Sequence, residues 1–241
     1  MRFRLFNTLT QGLCASAGLA ALLLAMTPSA QAQIVNGSFE TPAISGTFQN
    51  FTPGSSIGAW TVVGNAGTSV TLLTTTYSEP GNGMTAFQSL DGVQSLDITG
   101  PGNLGTTVGV QQSITTVNGQ AYTLSFFVGK AQSSNGSPFY SDPTILDLSI
   151  DGGARTSFTN PNAGNSGFLD WKQFTFDFTA TSTSTSVAFF NGTASGNENE
   201  VGLDNITIAP RVAATPEPGA VSLLAGLGLS AGVFLRRRRK I

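Results

Sequence analysis

Residues 119–128 read Gly-Gln-Ala-Tyr-Thr-Leu-Ser-Phe-Phe-Val, and they decide the fold more clearly than any other stretch of the chain. Apolar side chains occupy every second position there, at Tyr122, Leu124, Phe126 and Val128. A period of two is typical of a strand that buries one face. The same period recurs in residues 145–150 and 174–178, and no stretch of the body has a sustained helical period.

Shorter runs of the same character raise the number of predicted strands to about ten. They are residues 34–39, 60–63, 70–73, 94–98, 109–114, 187–191 and 202–208. Gly, Asn, Ser, Thr and Pro separate them, and residues 181–186 are predicted to form a turn. Many short strands with turn residues between them predict an all-β fold, a two-sheet antiparallel sandwich.

The charge of the body, residues 33–209, restricts its partners. It contains three basic residues and twelve acidic ones, a formal charge of −9. A surface this acidic repels nucleic acid, so we expect no nucleic-acid partner. Neutral polymers and cationic surfaces are compatible with it. Its length suits one domain with a sizeable core.

The absence of histidine from the whole chain narrows the chemistry further. It excludes Ser-His-Asp and Cys-His nucleophiles and every metal site with histidine ligands. A glycosidase would need two carboxylates at a controlled separation, and the spacing of the acidic residues marks no such pair. We therefore predict a non-enzymatic protein with no catalytic residues.

The N-terminus has the three parts of a secretory signal peptide. Arg2 and Arg4 are basic, residues 13–26 are apolar, and small residues follow. Ala30 and Ala32 occupy the two positions that a signal peptidase reads, so cleavage after Ala32 would leave Gln33 first. The single cysteine, Cys14, would leave with the signal peptide, and the mature chain would have no disulfide.

The C-terminus combines three elements in a fixed order. The tripeptide Pro216, Glu217 and Pro218 precedes an apolar run, Gly219 to Leu235, of 17 residues. The basic residues Arg236, Arg237, Arg238, Arg239 and Lys240 follow it. A run of this length is at the short end of what spans a bilayer as a helix, and the cations would hold its end on the cytoplasmic side.

This tail resembles the PEP-CTERM sorting signal of Gram-negative bacteria. The resemblance implies export, a transient stay in the inner membrane, and processing by exosortase, a membrane-embedded transpeptidase. An ordinary tail anchor is the alternative. The predicted organisation is therefore a signal peptide at 1–32, a β-sandwich at 33–209 and a sorting tail at 210–241. The final location would be the cell surface or the extracellular matrix.

The body resembles the galactose-binding-like jelly roll of carbohydrate-binding modules, especially families 4 and 9. The matching pieces occur in order along nearly the whole body. They are residues 35–40 (Val-Asn-Gly-Ser-Phe-Glu), 58–60, 91–96, 110–114, 119–126, Trp171 with 174–180, and 202–206 (Gly-Leu-Asp-Asn-Ile). The fold is shared by proteins with different ligands, so it does not decide the ligand.

The resemblance implies a structural calcium ion that joins the first and last strands. Its ligands would be Glu40 and Asp204, with oxygens near Asp91 completing the set. Regular alternation would place Asp204 on the same face as Ile206 and Ile208, where an unpaired carboxylate is costly. Alternatively, Asp204 ends its strand and accepts hydrogen bonds from a turn, and Glu40 is solvated.

Sugar-binding modules stack sugar rings on exposed aromatic side chains. Trp60, Trp171 and Tyr122 are predicted to fill the core, which leaves Tyr77, Phe139 and Tyr140 as ligand-binding candidates. The last two lie in a long loop, residues 130–144, of the kind that often carries function. The predicted function is adhesion to, or assembly within, exopolysaccharide. The alternative is a structural surface protein that binds other proteins and has no sugar site.

Overall fold

A computed structural model describes residues 31–101, 108–161, 167–193 and 199–211. In these ranges the chain forms twelve strands and two short 3-10 helices, Pro80–Asn82 and Pro138–Tyr140. The strands are β1 (Phe48–Phe51), β2 (Ser56–Ile57), β3 (Trp60–Gly64), β4 (Val70–Thr74), β5 (Gln94–Asp97), β6 (Val108–Thr115), β7 (Ala121–Ala131), β8 (Thr144–Ile150), β9 (Thr156–Asn160), β10 (Leu169–Thr179), β11 (Ser184–Asn191) and β12 (Val201–Pro210).

The strands make two six-stranded sheets that pack as a sandwich. The first sheet has the order β1-β4-β5-β12-β7-β10, and the second has the order β2-β3-β6-β11-β8-β9. Every ladder between named strands is antiparallel. The all-β, two-sheet antiparallel class predicted from the alternation is confirmed.

The core between the sheets is built from the alternating positions. Phe126 of β7 lies opposite Phe174 of β10, so both rings point into the sandwich. Trp60 is fully buried, with its ring 5.8 Å from that of Phe39 and 6.1 Å from that of Phe189. Burial of large rings dominates the stability of a core. The predicted core positions Trp60 and Tyr122 are confirmed.

Residues 34–39 do not form the predicted strand. Asn36 and Phe39 have positive φ angles of 58° and 56°, which are incompatible with extended backbone. The side chain of Gln112 holds this segment instead: its amide exchanges two hydrogen bonds of 2.9 Å with the backbone of Val35. The segment therefore packs on the sandwich without joining a sheet.

Three strands were absent from the prediction, namely β1, β2 and β9. β1 and β9 lie at sheet edges and are largely exposed, and β2 has only two residues. Strands that are mostly exposed, or only two residues long, lack the buried face that creates an alternating pattern. Their sequences therefore carry little of the signal that identified the central strands.

A second, smaller hydrophobic cluster lies on the outer face of the first sheet. Two long connections cover that face: residues 75–93, between β4 and β5, and residues 132–143, between β7 and β8. The buried members of the cluster are Leu73, Met84, Phe87, Ala131, Tyr140 and Leu169. The connections are thus packed down on the sheet by their own apolar side chains.

Trp171 was predicted to fill the space between the sheets, and this prediction is wrong. Its side chain packs against the outer cluster instead. It lies opposite Gly129 in the ladder, and a Cβ atom on Gly129 or Gly202 would come within 3.0 Å of its ring. The two glycines leave a flat surface for the indole. The indole Nε1–H donates to the carbonyl oxygen of Gln88, 2.9 Å away, and so ties the first connection to the sheet.

In the described ranges, no helix is long and apolar enough to cross a membrane. The predicted signal helix, the apolar run at 219–235 and the sorting residues lie outside those ranges. Ala30 lies outside them too, whereas Ala32 is buried against the main core and Gln33 is exposed.

The different positions of the two tryptophans predict different costs of truncation. Trp60→Ala removes a fully buried ring and should lower the free energy of unfolding by about 3–5 kcal/mol. Trp171→Ala removes a half-buried ring and one hydrogen bond, and we expect a loss of about 2 kcal/mol. Urea denaturation of the two variants checks this. An equal or larger loss for Trp171→Ala would contradict its placement on the outer face.

Candidate functional site

Five polar side chains converge under the two connections that cover the first sheet. We call Tyr77, Glu79, Asp97, Tyr140 and Glu200 the tyrosine–acid cluster. The connections provide the first, second and fourth of these, while Asp97 ends β5 and Glu200 immediately precedes β12. Asp97 lies opposite Gly202 in the ladder between β5 and β12, and its side chain is on the outer face of the sheet. Glu200 is two residues before Gly202, so regular alternation places it on the same face.

Glu79 is the hydrogen-bonding centre of the cluster. The hydroxyl of Tyr77 donates to its Oε1, and the hydroxyl of Tyr140 donates to its Oε2. The amide of Asn82 also donates to Oε2, at 3.1 Å. Burial works to raise the pKa of Glu79, but these three hydrogen bonds outweigh it and hold the pKa below its ordinary value.

The pKa values of the two tyrosines shift in the opposite direction to that of Glu79. Burial, together with the neighbouring Glu79 carboxylate, raises the pKa of Tyr77 and of Tyr140 above the ordinary value. The negative charge of Glu200 adds to both shifts. Both hydroxyls therefore stay protonated and act as donors at any physiological pH.

Asp97 and Glu200 are buried carboxyl groups close to Glu79. Burial raises the pKa of Asp97 to about 6, although the backbone and hydroxyl of Thr99 donate hydrogen bonds to it. Burial also raises the pKa of Glu200 well above its ordinary value, and the charges of Asp97 and Glu79 add to the effect. In the described ranges, Glu200 Oε1 has no hydrogen-bond partner. As long as no cation is bound beside it, repulsion and desolvation thus favour a protonated Glu200.

Aromatic rings form a continuous row beside these acids. Ring centroids are 5.6 Å apart for Phe48 and Tyr77, 5.0 Å for Tyr77 and Phe87, 6.3 Å for Phe87 and Tyr140, and 5.0 Å for Tyr140 and Phe139. Phe48 is 52% exposed and Phe139 is 40% exposed, whereas the rings between them are partly or fully buried. We call these five residues the aromatic row; both of its ends reach solvent.

The structure therefore brings together the three ligand-binding candidates, Tyr77, Phe139 and Tyr140. Phe139 is exposed as expected, and Tyr77 is half-buried. Tyr140 is only 5% exposed, so the expectation that it offers an exposed stacking surface is wrong. Its ring packs on Phe87 and its hydroxyl is bound to Glu79, because the 3-10 helix Pro138–Tyr140 turns it inward.

A second group of carboxylates lies beside the segment that leads into β5. Glu40 Oε1 accepts hydrogen bonds from the backbone N–H groups of Val93 and Gln94, at 2.9 and 2.8 Å. Asp204 Oδ2 accepts from the N–H groups of Leu90 and Asp91, at 2.8 and 3.0 Å. We call Glu40 and Asp204 the carboxylate clasp, because together they hold residues 90–94.

Asp204 does not share the face of Ile206 and Ile208. It lies opposite Phe127, whereas Thr207 lies opposite Ser125, so β12 contains one extra residue between them. Asn205, with a positive φ of 49°, makes this bulge. The bulge turns Asp204 to the outer face while the isoleucines point inward. Burial raises the pKa of Asp204 to about 7, although three backbone hydrogen bonds oppose it.

The three predicted metal ligands come close to one segment, but they do not form a compact group. The Oδ2 atom of Asp91 accepts a hydrogen bond from the hydroxyl of Ser38, 2.7 Å away. Among the described residues, no three acidic side chains lie close enough together to hold a metal ion. Backbone N–H groups from residues 90–94 and Asn205 donate hydrogen bonds to Oε1 of Glu40 and to both carboxylate oxygens of Asp204.

Sequence reasoning missed Glu79, Asp97 and Glu200. Asp97 carried the clearest signal, since it stands in an otherwise apolar strand end, Leu96-Asp97-Ile98. Glu200 shares the alternation of Asp204, four residues later, which hinted at a common face. Nothing local linked either of them to Glu79, because the contact depends on how the 75–93 connection folds back over the sheet.

Comparisons with known proteins establish the fold and no family. No family model matches the chain, and no curated protein matches it in sequence. A cyclase from Fischerella sp. TAU, in complex with 4-(1H-indol-3-yl)butan-2-one, superposes with a TM-score of 0.54 and 16% identity. The match covers 78% of this chain and all of the cyclase chain. Likeness at this identity shows a shared fold and nothing about activity.

Carbohydrate-binding modules match over similar lengths with lower scores. The module TmCBM61, in complex with β-1,4-galactotriose, gives a TM-score of 0.41 and 14% identity over 74% of this chain and 97% of its own. The CBM22-1 xylan-binding domain from Paenibacillus barcinonensis Xyn10C gives 0.41 and 19% over 77% and 100%. Scores this low support no conclusion about the ligand of this chain.

The raised pKa values of Asp97 and Glu200 predict a protein that is more stable in mild acid. A carboxyl group whose pKa is higher in the folded state contributes its full stabilisation below the unfolded pKa. That contribution is lost as the pH rises through the folded pKa. For Asp97, the shift from 3.8 to about 6 corresponds to on the order of 3 kcal/mol. The melting temperature should therefore fall as the pH rises from about 4 to 6, where Asp97 loses its proton, and should keep falling towards pH 8 as Glu200 loses its own.

The variant Glu200→Gln separates this effect from other titrations. It removes a buried carboxyl group whose ionisation at high pH costs free energy but keeps the shape, so it should raise the melting temperature at pH 8 and flatten the pH dependence. Asp151→Asn is the matched control: it removes one carboxylate from an exposed turn and should leave the slope unchanged. A melting temperature that rises from pH 5 to pH 8 would contradict the raised pKa values of Asp97 and Glu200.

Proposed function

We propose that this chain is an exported, non-enzymatic protein of the cell surface or extracellular matrix that binds polysaccharide. The observation that carries the proposal is the aromatic row, whose exposed ends are Phe48 and Phe139. Sugar rings present C–H faces that stack on exposed aromatic side chains, while their hydroxyls hydrogen-bond to carboxylates and amides. The row offers the first kind of contact, and its borders offer the second.

Polar groups border the row on the same two connections. Glu79 and Asn82 lie in the first connection, and Asn135 lies in the second. The amide of Asn135 donates to Gly81, and the N–H of Ser134 donates to the carbonyl oxygen of Gly83, at 3.0 Å. These bonds join the connections into one surface. Rigid placement of a few polar groups beside apolar rings is typical of small-molecule sites.

Export and sorting complete the proposal. The signal peptide, with cleavage after Ala32, would direct the chain through the inner membrane. The tail from Pro216 to Lys240 would hold it there until an exosortase-type transpeptidase acts. The body that arrives outside carries three basic residues against twelve acidic ones and no histidine. That composition suits adhesion to a polymer and supports no histidine-dependent catalysis.

A calcium ion beside the carboxylate clasp is part of the proposal. In the described ranges, Glu40 Oε2 and Asp91 Oδ1 accept no hydrogen bond, so each retains free lone pairs beside residues 90–94. Calcium accepts carboxylate and carbonyl oxygens in a loose geometry, which suits two carboxylates and the carbonyls of a loop. Such an ion would reinforce a contact that the backbone hydrogen bonds already make.

Removal of calcium should lower the melting temperature of the protein. An ion that binds only the folded state stabilises it by about 2.7 kcal/mol at a hundredfold excess over its Kd. Glu40→Gln should abolish the calcium-dependent increment, because glutamine still accepts the two N–H bonds but lacks the charge, and Asp204→Asn should remove most of it. Thermal unfolding with and without chelator measures the increment, with Asp151→Asn as the unchanged control. Identical melting curves of the wild type in both conditions would exclude the ion.

Truncation at the exposed ends of the row should weaken polysaccharide binding. Losing one stacking contact costs about 1–3 kcal/mol by analogy with aromatic–base stacking, so Phe139→Ala and Phe48→Ala should each reduce affinity at least severalfold. Pull-down of the full-length protein with a panel of neutral polysaccharides measures this. Tyr140→Ala should instead destabilise the fold by about 3–5 kcal/mol, because its ring is buried.

Val117→Ala provides the matched control for the binding measurement. Val117 is also an exposed apolar residue, but it lies in the turn before β7, at the opposite end of that strand from the second connection. Its truncation should change neither binding nor folding. If Phe139→Ala and Phe48→Ala bind every polysaccharide as the wild type does, the row is not the binding surface. Failure of the wild type to bind any glycan favours the structural surface protein instead.

A further inference from the structure

Glu200 has a buried carboxyl oxygen without a partner. The residue is 8% exposed, and its Oε1 makes no hydrogen bond within the described part of the chain. Its neighbours Glu79 and Asp97 are close enough for their charges to act on it. A buried polar atom of this kind normally has a partner, because leaving it unpaired destabilises the fold.

None of the four basic residues in the described ranges neutralises these acids. Lys130 donates to the carbonyl oxygens of Tyr140 and Asp142, at 2.9 and 2.8 Å. Arg155 and Arg211 pair with Asp147 and Asp177, and Lys172 lies over the ring of Phe174. Three carboxyl groups are thus placed together under the connections, and the described residues supply no cation to balance them.

Aromatic rings lie beside the same acids. Tyr77 and Tyr140 bind Glu79 through their hydroxyls, and the ring of Phe87 lies between theirs, 5.0 and 6.3 Å away. Faces of aromatic rings attract organic cations, and the attraction grows when the cation leaves water. Rings and carboxylates together form an environment suited to an ammonium group.

We propose that the tyrosine–acid cluster binds the protonated amine of an amino sugar, with Glu200 Oε1 as its acceptor. This inference rests on the proposed function and names its substrate class: a polysaccharide with free amino groups. The net charge of −9 on the body adds a long-range attraction for such a cationic polymer.

The chemistry of the cluster favours an ammonium over a metal ion. Among the described residues, no three acidic side chains are close enough together to hold a metal. Both oxygens of Glu79 already accept hydrogen bonds, and Asp97 accepts two from Thr99. An ammonium group needs only one free carboxylate oxygen to pair with, and Glu200 provides it. A metal ion such as calcium needs oxygen ligands, which the aromatic rings do not provide. An organic ammonium group, in contrast, is attracted by the faces of those rings.

Two oligosaccharides that differ only at nitrogen test the inference. The full-length protein in mild detergent is titrated calorimetrically with a glucosamine hexamer and with the corresponding N-acetylglucosamine hexamer, at a pH where the free amines are protonated. The wild type should bind the glucosamine hexamer at least tenfold more tightly. Glu200→Gln should reduce this preference below about threefold, since glutamine has no charge to pair with the amine.

Asp151→Asn controls for general attraction between an acidic protein and a cationic sugar. It removes the same charge from an exposed turn of the second sheet and should keep the tenfold preference. If it lowers the preference as much as Glu200→Gln does, the preference comes from overall charge and the site is overturned. Glu200→Asp keeps the charge but moves the carboxylate away from the amine by one methylene, so it should give an intermediate preference. It provides a second test if the glutamine variant does not fold.

The outcomes separate this inference from the function on which it rests. Equal affinity for the two hexamers, or tighter binding of the N-acetylated one, overturns the amine site and leaves polysaccharide binding intact. Binding of neither hexamer, together with binding of another neutral glycan in the pull-down, also overturns only the amine site. Binding of no glycan in either experiment overturns both.

Discussion

The long connection between β4 and β5 sets the main physical constraint on this molecule. Its 19 residues, 75–93, lie on the outer face of the first sheet, where few of their backbone N–H groups meet a strand. Buried N–H groups require acceptors. One carboxylate oxygen each of Glu40 and Asp204, from opposite ends of the body, accepts from two N–H groups; three of these four donors belong to the connection and the fourth is Gln94, the first residue of β5. The indole of Trp171 donates to the carbonyl oxygen of Gln88 in the same connection. Once the connection is fixed in this way, Tyr77, Glu79 and Phe87 are in place for the candidate site.

The same arrangement explains why the site is charged. The connection buries Glu79 beside the ends of β5 and β12, which carry Asp97 and Glu200 on the outer face. A core of the same size made from apolar residues would have been cheaper to fold, since burying carboxyl groups costs free energy. The tyrosine hydroxyls recover part of that cost at Glu79. The cost at Glu200 is not recovered by any described residue, which is why we assign its function to a ligand.

Sequence patterns predicted the sandwich well because its clearest strands bury one face. β7, β8 and β10 alternate apolar and polar residues, so these strands and their inward-facing residues followed from the chain alone. The site was predicted in part: Tyr77, Phe139 and Tyr140 do meet, but the burial of Tyr140 depends on a 3-10 turn with no sequence signature beyond Pro138. The face of Asp204 was predicted wrongly because a single bulge residue, Asn205, reverses the alternation. Contacts made by irregular connections are non-local, and periodicity cannot report them.

The position of β12 within the first sheet has a mechanical consequence. It is an interior strand, flanked by β5 on one side and β7 on the other, and it is the last strand before Arg211, after which the predicted tether follows. Its ladder with β7 runs from Val201 to Pro210. A pull on the C-terminal end along the strand would load these hydrogen bonds together, in shear, and not one after another as in peeling an edge strand. A domain tethered to a surface through this strand would therefore resist unfolding when flow pulls on a ligand bound to it.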